Sequence, residues 1–297
     1  MANILPSKAP NLINAPDIYG KSYTDNLNNI LRLYFNTIDG NNAYILNALV
    51  SLQDQIDTLQ GEINALSAPP YFSAFQDGVT ALTADITTAN STAPIHVTST
   101  AGFPSSGYIL IEDEIIGYTT TTSTTFDGTI TRGALGSTAG KSAHSSGTAV
   151  SEAAAVTSTT SAAMRISNVI CSNQITCTVP DTKIYLSKTG IYNIQISVQF
   201  LNYSTADDNV TVWVKKNSSY VDDSASVAQV PQKHAHGAGA TILAVNFVDS
   251  FTAGDDIEIY WASNTGETIL ATYPSRTTPV TPASPSLIIT ITYVSSV

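Results

Sequence analysis

A few residues in this chain have the types and spacing to do chemistry. His234 and His236 form a His-x-His in a Gly/Ala-rich loop. Imidazoles so spaced ligate divalent transition metals, and three such pairs around a threefold axis would supply an octahedral set. The pair also reads as plain loop residues, and a metal-free loop is the expected state. Asp207-Asp208, Asp222-Asp223 and Asp255-Asp256 are carboxylate pairs of the kind that bind Ca2+. None sits in the spaced acidic pattern of a dedicated calcium loop, and Asp255-Asp256 follows Gly254 as a turn. Glu112-Asp113-Glu114 offers paired carboxylates for acid/base work. Flanked by Ile109–Ile111 and Ile115-Ile116, it reads instead as a solvated hairpin turn. Cys171 and Cys177 have a spacing that allows a bridge across a hairpin. A reducing compartment would keep both as thiols, and buried thiols are the expectation.

The catalytic inventory ends there. The chain has no Gly-x-Ser-x-Gly, no His-Glu-x-x-His, no phosphate-binding loop and no dinucleotide fingerprint. The sequence predicts no enzyme and no cofactor. Tyr203, Tyr220 and Tyr273 lie near turns, where their rings would stack on sugars at an exposed tip. Tyr192, Trp213, Tyr260, Trp261 and Tyr293 fall inside strands and are expected in a core or along a subunit axis.

The elements that position these residues fall into blocks. From Tyr23, apolar residues recur at Leu27, Ile30, Leu31, Tyr34, Phe35 and Ile38, a helical stripe. Ile45, Leu49, Leu52, Ile56, Leu59, Ile63 and Leu66 then follow at alternating spacings of four and three. That is a coiled-coil seam, with Leu49, Ile56 and Ile63 at a and the others at d. Either Asp39-Gly40-Asn41 breaks the helix, or Asn42 is a buried polar residue that fixes register. Gln53, Gln55, Gln60 and Ala48 flank the seam, so charge does little to choose a partner. Ile at a with Leu at d favours two strands.

Residues 68–156 open with Pro69-Pro70 and read as a small β domain, with 153–160 as a linker. The last block carries strand signals at 164–169, 174–179, 183–186, 190–202, 209–216, 240–251, 256–262, 267–272 and 287–294. Short strands separated by turn residues fit a β-sandwich or jelly roll.

Composition removes several classes. Only 12% of residues are charged, about half the usual share, yet 43% are apolar, so charge-driven disorder is excluded. The 39 Thr and 33 Ser make the surface polar through hydroxyls. A net charge of −11 argues against nucleic acid, which is gripped by Lys and Arg. No apolar run is long enough to insert in a membrane, and the start MANILPSKAP has no secretory pattern.

The last block resembles the trimeric jelly rolls of the complement-component and tumour-necrosis-factor type. The matching pieces are GIYNIQISVQFLN (190–202), VTVWVKKNSSYVDDSAS (210–226), FTAGDDIEIYWA (251–262) and TPASPSLIITITYV (281–294). Ser218 stands where that pattern usually has Gly. More narrowly, VPQKHAHGAGATILAVNFVDSFTAGDDIEIYWA resembles the C-terminal heads of tailed-phage virion proteins, those of marine phages in particular. The segments ILPSKAPN, LNNILRLYFNTID, GYILIEDEIIGYT, TRGALGSTA and HSSGTAV are similar to pieces of such proteins.

The resemblance implies a mainly β homotrimer with an N-terminal coiled coil and a jelly-roll head, three strands rather than two. It divides the chain into a virion-anchoring segment (1–40), a coiled coil (41–67), a small β domain (68–156) and the head (157–297). The expected role is a short tail or capsid fibre of a virion assembled in the host cytoplasm. Residues Ile45 to Leu66 would trimerise it. Leu31, Tyr34 and Phe35 would dock on other virion proteins, and the head would meet a host surface glycan. A capsid decoration or tail-adaptor protein, and a glycan-binding lectin, are the alternatives; a depolymerase is third.

Overall fold

A computed structural model describes residues 20–87, 92–137, 143–235 and 237–297, without the side chains of 64–67. The chain divides into two compact units, Met1–Ala68 and Pro69–Val297.

In the first unit one α-helix, α1, spans Lys21–Ser67. At 1.5 Å per residue it is about 70 Å long. Its first turn closes on Gly20, whose carbonyl accepts the N–H groups of Tyr23 and Thr24. Pro69-Pro70 ends it, since proline offers no N–H and disfavours helical backbone before it. Asp39-Gly40-Asn41 does not break it. A helical Gly costs about 1 kcal/mol, which two long flanking helical stretches tolerate. The expected boundary at 40/41 therefore falls inside one element.

The second unit is mainly β and antiparallel. Its larger sheet has Asn168–Asn173 at one end, then Tyr71–Gln76, Leu287–Ser295 and Gly190–Asn202. Gly239–Phe251 pairs along the whole of Gly190–Asn202 and forms a sheet edge. On its other side Gly190–Asn202 pairs first with Leu287–Ser295 and then, near Asn202, with Thr268–Ala271. From there the sheet continues through Ala149–Ala155, Gly107–Ile111 and Glu114–Tyr118. The second sheet is built on Asp208–Lys216 and Asp256–Ser263, with Ile175–Thr176, Ile184–Leu186, Ser219–Tyr220, Ser226–Val230 and Ser161–Ala163 beside them.

The two sheets share one core. Along Gly190–Asn202 the inward residues are Tyr192, Ile194, Ile196, Val198 and Phe200, the period-2 pattern of a strand buried on one face. Val210, Val212, Val214, Ile257, Ile259 and Trp261 meet them from the second sheet. Gly190 is held to glycine by close approach, because a side chain there would run into the Tyr293 ring. A smaller core gathers Leu82, Ile95, Val97, Ile109, Ile111, Ile116, Phe126 and Val150.

Two expectations change. Tyr71–Gln76 lies between Leu287–Ser295 and Asn168–Asn173, so it belongs to the sheet of the last block. Residues 153–155 are strand rather than linker, pairing with both Thr268–Ala271 and Gly107–Ile111. The boundary expected at 156/157 thus crosses a continuous sheet. Trp213 and Tyr260, expected in a core or along a subunit axis, lie half-buried in the single chain, 5.9 Å apart, with Lys215 Nζ 3.8 Å over the Tyr260 ring. Asp208 is fully buried and ties the turn after Ser263, accepting hydrogen bonds from the Ser263 and Thr268 hydroxyls and the N–H groups of Asn264 and Thr265.

Candidate functional site

Two surfaces carry apolar side chains with no cover in the described residues. The first is the helix seam. Leu49, Leu52, Ile56, Leu59 and Ile63 are 50–58% exposed, and Ile45 is half-buried. The Leu66 side chain lies outside the described residues. An exposed stripe of this regularity is an interface signature, because a helix gains most of its stability by burying one face. Upstream, Leu31 and Tyr34 are half-buried and Phe35 is exposed. The expected a residue Asn42 is exposed as well.

The second surface is the outer face of the larger sheet. Register places three rows across four strands: Phe75–Ile288–Ser197–Ala244, Ser73–Thr290–Gln195–Asn246 and Tyr71–Thr292–Asn193–Val248. None of the twelve is charged. Tyr71, Val248 and Ile288 stand exposed, and Ile242 beside them is 67% exposed. The Asn193 Oδ1 is shielded from water yet has no hydrogen-bond partner among the described residues. A solvated sheet face is normally polar. This one mixes amides and hydroxyls with the exposed aliphatic side chains of Val248, Ile288 and Ile242.

A cleft of about 400 Å3 opens elsewhere on the same unit. Tyr203 and Tyr273 line it with Leu110, Leu201, Asp113 and Arg276. Two of the three tyrosines marked in the sequence thus meet in one place. The tip placement expected of Tyr203 is corrected: it is 4% exposed, packed against Leu201 and Ile269 in a small core. Burial raises its hydroxyl pKa, and the Asp113 charge adds to the rise. Tyr273 is raised for the same first reason, with Arg276 opposing and Asp113 reinforcing. Tyr220 lies apart and exposed, its ring 6.3 Å from Trp213 and under Lys215 Nζ.

The Glu112-Asp113-Glu114 turn is only partly the solvated feature expected. Glu112 and Asp113 are exposed, but Glu114 is buried in an ion cluster. Arg132 grips its carboxylate through Nε and Nη2, both at 2.6 Å. His144 Nε2 approaches Glu114 Oε2 at 2.8 Å, and its Nδ1 approaches Glu112 Oε2 at 2.9 Å. Burial alone would raise Glu114; the hydrogen bonds from His144 and Arg132 outweigh it and hold the carboxyl at about 2. The bond to Glu114 raises His144 above 6.5 against the effect of burial. No local signal joins residues 114, 132 and 144, so sequence reading missed the cluster.

His234 is exposed on a tight turn closed by backbone bonds to Gly237, and His236 lies outside the described residues. Among the described residues of one chain, no group of three or more His, Cys, Asp or Glu is placed to hold a metal. Asp255 accepts from Asn217 Nδ2 and the Thr252 N–H and pairs with Lys216 at 3.2 Å, a structural turn. Cys171 and Cys177 are free thiols; Cys171 is exposed, contrary to the expected burial, and burial pushes Cys177 up to about 11. Among the described residues no helix is long and apolar enough to cross a membrane. No known protein family matches the chain, and no curated protein is similar to it.

Proposed function

We propose that the chain is a virion structural protein that assembles as a short homotrimeric fibre of a tailed phage, on the tail or the capsid. The observation that carries this reading is the seam from Leu49 to Ile63, exposed along a 47-residue helix. It calls for copies of itself, since its a and d pattern is self-complementary. The uncharged rows on the larger sheet supply a second self-complementary surface, and the orphaned Asn193 Oδ1 would find a donor there. Three copies rather than two follow from the resemblance of the β unit to trimeric jelly-roll heads. Joining the chains through both surfaces raises the effective concentration of each.

The hydroxyl-rich, charge-poor surface suits a particle that works outside the cell. Residues 1–40 would dock on other virion proteins through Leu31, Tyr34 and Phe35, and the head would face the host. Gold-labelled antibody against residues 157–297 tests the location: labelling at virion tails or capsid vertices supports the reading. Virions that carry none of the protein overturn it.

A further inference from the structure

We propose that the cleft walled by Tyr203 and Tyr273 binds an uncharged sugar unit of a polysaccharide. The proposal deepens the fibre reading, and its role in host attachment rests on that reading. The binding itself does not.

The cleft combines two kinds of surface. Leu110 and Leu201 give it an apolar floor, and the two tyrosines give it aromatic walls. Around these stand polar groups, of which Glu112 is already held by His144 and three are unspent among the described residues. The Tyr203 hydroxyl, on a residue 4% exposed, makes no hydrogen bond with any described residue. Asp113 and Arg276, exposed at the rim, form no ion pair or side-chain hydrogen bond with the described residues. One carboxylate, one guanidinium and a phenol facing the same space leave acceptors, donors and a group that is both.

A sugar ring matches that mixture. Its C–H face packs on aromatic and aliphatic surface, and its rim of hydroxyls both donates and accepts. A purely apolar side chain would fill the floor but leave the Tyr203 hydroxyl unpaired. An anionic sugar or a nucleotide would meet Glu112 and Asp113 on one turn, within a chain of net charge −11. The volume of about 400 Å3 lies within the usual range for a small-ligand cleft.

The full-length protein is titrated with maltohexaose, mannohexaose, galactohexaose and chitohexaose, and with a mannuronate hexamer as the acidic counterpart. Calorimetry and saturation-transfer NMR read binding, and light scattering reads the mass of the same sample. At least one neutral probe is expected to bind. Tyr273→Ala should weaken it about tenfold, the loss of one aromatic contact. Tyr203→Phe, which removes a single oxygen, should weaken it several-fold with an unchanged thermal melt. Tyr220→Ala, outside the cleft, should have no effect. No binding of any neutral probe by folded protein overturns the proposal, as does binding of the acidic probe alone or indifference to both cleft variants. Failure to bind by a protein of trimeric mass refutes the cleft and spares the fibre. Binding by a monomer does the reverse.

Discussion

Replacing Arg132 with Met should reveal how strongly the buried ion cluster holds the β unit together. Arg132 and Glu114 side chains are each 5% exposed and joined by two bonds of 2.6 Å. Removing the guanidinium leaves Glu114 with the His144 ring and the Gly133 N–H, the latter at 3.1 Å. Breaking one side of a buried pair costs about 3–5 kcal/mol. Two surviving contacts place this case at the lower end, about 3 kcal/mol. For a unit of this size that is roughly 6–12 °C in melting temperature. Adding Glu114→Gln should recover part of the loss, because the stranded charge is gone.

The cluster also sets a pH window. Glu114 sits at about 2, below the ordinary 4.5, so its contribution is present above 4.5 and lost as pH falls towards 2. His144 is raised above 6.5, so its contribution is full below 6.5 and lost as pH rises through the folded value. Stability from the cluster is greatest between 4.5 and 6.5, and His144→Gln should remove the alkaline fall. Thermal melts of the variants from pH 3 to 9 measure both effects. A loss below about 1 kcal/mol for Arg132→Met, or a double variant no better than the single, would refute the reasoning.

Other substitutions probe separate parts of the account. Glu152 is buried with one oxygen unpartnered, and burial raises its carboxyl. A raised carboxyl contributes stability below 4.5 and loses it as pH rises. Glu152→Gln should therefore melt higher than the parent at pH 7 and no higher at pH 4. Asp208→Ala removes the acceptor for two buried hydroxyls and two N–H groups, costing about 3 kcal/mol; faster hydrogen exchange at 263–268 would show where. Val248→Arg puts a charge in the uncharged rows, and sedimentation should show smaller species with an intact fold.

The strands with clean alternation were readable from sequence. Gly190–Asn202 occurs at its expected bounds, and Asp208–Lys216, Gly239–Phe251 and Leu287–Ser295 differ by a residue at one end. Ala149–Ala155 was only partly readable, because AVSEAAA has a single β-branched residue and gains its strand state from neighbours on both sides. Tyr71–Gln76 was placed in the wrong block because its partners lie about a hundred and two hundred residues away. Of the two readings open at 39–42, the helix break does not occur, since one weak residue cannot stop a long helix. Tyr203 and Tyr273 stood out in the sequence as aromatics near turns. Their meeting with Asp113 and Arg276 in one cleft depends on long-range sheet pairing, which spacing does not encode.

The most direct test of the central claim is the absolute mass of the purified full-length protein by light scattering. Three chains of 31.3 kDa give about 94 kDa, and that value is predicted to hold across dilution. A stable dimer or a monomer of 31.3 kDa would contradict the homotrimeric fibre.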